Sequence, residues 1–158
     1  MSKITQIFDA ITSIISAEFP NSTYSYLTNP YIIESNDDLT LRRGVGFYIG
    51  QGQNKNRAIS CIISLERTIT ITQTVKFYGT SLDKNFKDDS VKTILEDQFK
   101  IIKLLENAPQ DSANGIDKLI FTNDNGIEFV FGNGEESTEN FLMIRSQFSL
   151  EYLENLGV

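Results

Sequence analysis

The stretch ISCIISLERTITITQTVKFY, residues 59–78, contains no glycine, proline or asparagine and alternates apolar with polar residues almost throughout. Among its odd positions Ile59, Cys61, Ile63, Leu65, Ile69, Ile71, Val75 and Phe77 are apolar, while the even positions are mostly Ser, Thr, Glu and Lys. Period-two alternation marks a β-strand with one buried face and one wet face. A two-residue reversal at Glu66–Arg67 would set the apolar face beside the threonine face, because register decides which side chains are buried. A three-residue loop at Glu66–Thr68 would match the faces, but it normally needs a left-handed residue, usually glycine, and none is present. Residues 59–79 therefore read as one strand, continuous or bent once near Arg67. Extended, it would span about 70 Å at about 3.3 Å per residue, against a radius of gyration of about 15 Å for a domain of this size. Such a strand must bend or project, and a projecting edge is an aggregation hazard unless a partner covers it. The strand's own edge is thus the expected contact, and assembly the expected theme.

The other segments supply the body of the domain. The chain has 158 residues, enough to close a hydrophobic core, and reads as a single domain over 1–158. In KITQIFDAITSIISAEF the residues Ile4, Ile7, Phe8, Ile11, Ile14, Ile15 and Phe19 recur every three or four positions. This spacing predicts an amphipathic helix over 3–18, ended by Pro20 and Asn21. An irregular excursion over 20–43 leads to a strand at 44–50, GVGFYIG, with QGQNKN after it as a hairpin loop. A second helix is expected over 89–106, capped by Asp89 or Ser90, with Val91, Ile94, Leu95, Phe99, Ile102 and Leu105 facing the core and Pro109 just past its end. DKLIFTNDNGIEFVFG reads as a hairpin around Asn125–Gly126. Beyond the polar loop NGEEST, residues 140–152 alternate again, with Leu142, Ile144, Phe148, Leu150 and Tyr152 on one face. This order predicts an α+β domain, an antiparallel sheet with a long strand packed against two helices.

Little in the sequence offers chemistry. Histidine is absent, which removes the usual general base, the Ser–His and Cys–His pairs and the commonest zinc ligand. The one cysteine, Cys61, excludes an intrachain disulfide, fits a reducing compartment and reads as a small buried hydrophobe. Glu66, Asp97, Glu128 and Glu151 share no loop and read as solvated surface charge. FTNDNG has the wrong register for a calcium loop, and the Gly-x-Gly pairs in GVGFYIG and FGNGEE lack the strand–turn–helix context of a nucleotide site. No catalytic residue, cofactor or metal is expected. The net charge of −7 argues against a general nucleic-acid binder. No signal peptide or membrane span is evident, so a protein made in the cytosol is expected. Arg42 and Arg43, with Lys55 and Arg57 at the far end of the proposed hairpin, form a modest basic cluster that could meet an acidic partner or nucleic acid, although basic pairs near strand ends are usually just solvated. Arg67 and Gln73 intrude on the apolar face, where polar side chains could fix register and partner. The candidate interface is therefore Arg42, Arg43, Arg57, Glu66, Arg67 and Gln73.

The order of elements resembles the tail terminator proteins of long-tailed bacteriophages. The likeness is carried by the opening helix 3–18, the GVGFYIG strand reached through an excursion, the polar loop, the long IISLERTITITQTVKFYG strand, the helix 89–106 and the closing strands IEFVFG and NFLMIRSQFSLEYL. It covers nearly the whole chain, and it is topological, without a diagnostic motif. It implies a structural virion protein, usually a hexameric ring, capping the tail tube, stopping its polymerisation and presenting a head-joining surface. The implied partners are further copies of the chain, the tail tube protein and a head-completion or neck protein, with DNA only passing through the lumen and no membrane. The implied location is the tail or neck of the virion, assembled in host cytoplasm. Two other classes stay open: another ring or adaptor protein of a phage neck or contractile injection device, and a non-enzymatic ligand-binding or immunity-type module.

Overall fold

The computed structural model describes residues 2–19, 24–26, 43–59, 61–77, 84–108, 115–131 and 140–157. It is an α+β fold of two helices on a sheet. In chain order the elements are α1 (Lys3–Glu18), β1 (Tyr24–Tyr26), β2 (Arg43–Ile59), β3 (Ile62–Phe77), α2 (Lys84–Asn107), β4 (Lys118–Asp124), β5 (Glu128–Phe131) and β6 (Asn140–Asn155). The sheet order is β1-β2-β3-β6-β4, with β5 also on β6. Among the described residues only the short β1–β2 pairing is parallel. Apart from Tyr24–Tyr26, the excursion between α1 and β2 lies outside the described residues, as do Pro109 and the NGEEST loop.

The long strand exists, with no reversal between Leu65 and Ile69. It begins at Ile62 rather than Ile59, and the chain turns between those two residues, which pair with each other. Two sequence expectations fall with that turn. QGQNKN is not a loop but the middle of the 17-residue β2, where Gln51, Gln53, Asn54 and Lys55 are exposed. Cys61 lies at the turn and is exposed, not buried. The strand also neither folds back nor projects alone. Ile62–Val75 pairs with β2 on one side and Ile62–Phe77, without a register shift, with β6 on the other. Its backbone donors and acceptors are satisfied from both edges, so the expected contact through β3's own edge is overturned.

The Asn125–Gly126 hairpin is likewise replaced. Both β4 and β5 run antiparallel to β6, β4 opposite Ser146–Glu151 and β5 opposite Asn140–Met143. They are one strand interrupted by a kink. Gly126 sits there at φ 75°, and its N–H donates to Asp124 Oδ1 at 2.7 Å, while Asn125 N–H reaches Arg145 O at 3.2 Å. The same Asx-turn chemistry that favours a hairpin here makes a bulge, because β6 offers pairing on both sides of it.

Both helices cover the face formed by the odd residues of β3. Ile7, Ile11 and Ile15 of α1 and Ile101 and Leu105 of α2 pack with Ile69, Ile71, Phe148, Leu150 and Tyr152, all within 1% of complete burial. A smaller cluster joins Val75, Ile94, Leu142 and Ile144. Each such side chain contributes about 1.5–3 kcal/mol of transfer free energy. These contacts, not capping, hold α1 in place. Ser2 makes no side-chain cap bond and the first turn has no acidic residue. The carboxylate there comes from Glu154 of β6, which accepts the Lys3 N–H at 3.0 Å and complements the helix dipole.

Helix α2 starts before the expected cap, so Ser90 is buried inside it and Asp89 is exposed. Its core stripe is Ser90, Ile94, Asp97, Gln98, Ile101 and Leu105, whereas Leu95 and Phe99 stand 43% and 63% exposed. Of the expected stripe, Ile94 and Leu105 are in the core and Val91 and Ile102 are half-buried, while Asp97, Gln98 and Ile101 are turned inward in place of Leu95 and Phe99. The outer face of β3 also departs from expectation. Thr68 is exposed, but Thr70, Thr72 and Thr74 are buried, each short side chain standing beside longer ones such as Gln147, Arg145 and Met143. No described helix is long and apolar enough to cross a membrane.

A Cβ at Gly126 would meet nothing within 4 Å, so its substitution isolates the backbone cost. Gly126→Ala should lower the unfolding free energy by about 1–2 kcal/mol in urea titrations. Gly126→Asn should lie closer to the parent, and equal stability of the alanine variant would contradict the left-handed kink.

Candidate functional site

The candidate residues on β3 part company across its two faces. Arg67 lies on the helix-covered face, in a row with Gly52 and Leu150. Its Nε donates to the Tyr152 hydroxyl at 2.8 Å and its Nη1 to the Gly50 carbonyl at 3.1 Å. One side chain thus ties together β2, β3 and β6. The guanidinium lies flat over Gly52, where a Cβ would stand 2.7 Å from Arg67 Cζ. Glycine at 52 is therefore a matter of space, and Arg67 fills the place a side chain would take. The guanidinium is partly buried, and among the described residues no carboxylate pairs with it. Because Arg67 also braces its own sheet, Arg67→Glu would disturb the fold as well as any contact.

Glu66 faces the opposite way, in the row Gln53–Glu66–Glu151–Lys118. Two carboxylates directly opposite each other repel, and flanking lysines offset that. Lys55 Nζ lies 2.7 Å from Glu66 and 3.6 Å from Glu151, and Lys118 Nζ 3.9 Å from Glu151. The Ser149 hydroxyl adds a bond to Glu66 at 3.1 Å. The lysines are about half exposed, so each pair contributes only about 0.2–1 kcal/mol. The ladder orders the outer face across four strands. It was hidden from sequence because Glu66 and Glu151 are distant in the chain and become neighbours only through register.

Gln73 is buried at 1% exposure, in a row with Val45 and Ile144. Among the described residues neither its amide nitrogen nor its amide oxygen has a hydrogen-bond partner, and the adjacent Thr74 hydroxyl also lacks one. Nearby polar groups on the same face do find partners. Gln98 Nε2 donates to Ser146 Oγ at 2.9 Å and to Asp124 Oδ2 at 3.1 Å. Asp97 is 3% exposed, which corrects its reading as a solvated carboxylate. A seam of polar side chains thus runs through the contact between α2 and the sheet.

The basic cluster does not form. Arg43 and Arg57 sit near opposite ends of one strand, opposite Val75 and Ile63, on the order of 40 Å apart. Arg42 lies outside the described residues. The hairpin loop that would have gathered the cluster is strand, so its two halves separate. Among the described residues no three His, Cys, Asp or Glu side chains converge as metal ligands would.

The long edge of the sheet belongs to β2. Strand β1 covers it only at Arg43–Val45, and among the described residues no strand pairs with that edge beyond Val45. The opposite edge, β4–β5, is blunted by its kink, by a register shift at Phe121/Asn123 and by Glu106, which accepts the Phe121 N–H at 3.0 Å. No known family model matches the chain, and no curated protein matches it in sequence.

Gln73→Leu should raise the unfolding free energy by roughly 1–3 kcal/mol, the cost of a buried polar group left unbonded. Chemical denaturation monitored by circular dichroism measures this, and a destabilised leucine variant would show that the amide is bonded after all.

Proposed function

We propose that the chain is a structural, non-catalytic protein of a bacteriophage tail, a ring-forming terminator at the head-proximal end of the tail tube. The observation that carries this reading is the open edge of β2. A 17-residue strand whose second edge, among the described residues, is covered only over its first residues presents a row of unpaired backbone groups, and pairing with a neighbouring copy satisfies them. The element order supports it: an opening helix, a long antiparallel hairpin, a crossing helix and closing strands, as the resemblance implies. A heterologous contact repeated around a rotation axis closes into a ring, probing which requires only the isolated protein and the tube. Its partners on this reading are further copies of itself, the tail tube protein and a head-completion or neck protein.

Native mass spectrometry and sedimentation velocity over a range of protein concentrations test the reading. The expected result is a single closed species of several subunits, formed by the free protein or on added tail tube. A protein that stays monomeric at high concentration, both alone and with tube polymer, would refute it. In a density map of the virion, the chain should lie between tube and head.

A further inference from the structure

We infer that Arg67 is a carboxylate-binding fork at the contact between copies, a step that rests on the ring reading and specifies its chemistry. An arginine side chain carries five N–H donors and no acceptor. Here Nε and one Nη1 hydrogen are bound to neutral oxygens, the Tyr152 hydroxyl and the Gly50 carbonyl. These bonds fix the plane of the guanidinium without neutralising it. Gly52 leaves it lying across β2, the strand with the open edge. Lys55, Glu66, Glu151 and Lys118 are engaged with one another on the outer face, and Glu154, on the helix side, is taken up by the Lys3 N–H. The charge is therefore partly buried, held in orientation and unpaired among the described residues. A planar fork with free donors is suited to two parallel bonds from one carboxylate, which a lysine cannot reproduce.

The occupant is a carboxylate side chain of a second copy. The chain has 21 acidic against 14 basic residues, so an approaching copy offers many carboxylates and is otherwise repelled. An unpaired arginine in a heterologous contact reverses that repulsion at one place and so fixes the register of approach.

Two variants separate the fork from the fold. Arg67→Lys keeps the charge and removes the planar geometry. Gly52→Ala keeps Arg67 and displaces its flexible tip, since the new Cβ meets only the end of that side chain. Circular dichroism and thermal melting check that each monomer is folded, and sedimentation velocity measures assembly. Each variant should need at least tenfold more protein than the parent to assemble. Parent-like assembly of folded Gly52→Ala and Arg67→Lys would overturn the proposal. A parent that never assembles defeats the ring reading and the second-copy occupant together. The fork is then tested alone, by following the Arg67 Nε–H resonance during titration with sodium acetate against sodium chloride at equal ionic strength. An acetate-specific shift, lost in Gly52→Ala, sustains the carboxylate site, and equal response to both salts overturns it.

Discussion

The structure depends on one unbroken ladder. Every residue of β3 from Ile62 to Phe77 pairs with its counterpart in β6 from Asn155 to Asn140, without a bulge. Because side chains alternate along both strands, a slip of one residue would leave Ile69 and Ile71 on the opposite face from Phe148 and Leu150, and one of the two sets would lose the helices. The ladder thereby fixes where α1 and α2 can pack. It also aligns the rows in which Arg67 meets Tyr152 and Glu66 meets Glu151. Bulges are confined to its neighbours, β2 and β4, where the sheet takes up its twist without disturbing the centre.

Arg67 and Gln73 intrude on the same apolar face and are accommodated in opposite ways. Arg67 lies near the far end of the sheet, beside two glycines, so its long side chain can reach sideways to a carbonyl and a hydroxyl. Gln73 sits between Val45 and Ile144, where its shorter side chain finds neither donor nor acceptor among the described residues. The first is a brace with charge to spare. The second is a local cost in a core that is otherwise well packed, and the polar seam at Gln98, Ser146 and Asp124 shows that such groups are satisfied when geometry permits.

The two edges of the sheet are unlike. At β4–β5 the backbone is kinked and an outward N–H is taken up by Glu106, so addition of another strand is discouraged. At β2 the protection is weaker: polar side chains, three register shifts and exposed Lys55, with β1 covering only the beginning. Of the two edges, only β2 is left open to a further strand among the described residues. That asymmetry underlies the ring proposed for the chain.

By itself the sequence determined the opening helix, the central strand without a reversal, the burial of Leu142, Ile144, Phe148, Leu150 and Tyr152, and the α+β class. Each rests on a periodicity that backbone geometry imposes locally, 3.6 residues in a helix and two in a strand. Tertiary structure decided the rest. Asn125–Gly126 became a kink because β6 supplies pairing on both sides of it, and QGQNKN became strand because β3 runs alongside it. On α2, Asp97, Gln98 and Ile101 were turned toward the sheet in place of Leu95 and Phe99. The basic residues expected together were separated, and the ladder of Lys55, Glu66, Glu151 and Lys118 was assembled from distant segments. In each case the deciding partner lies far away in the chain, and local pattern carries no record of which strand will lie beside which.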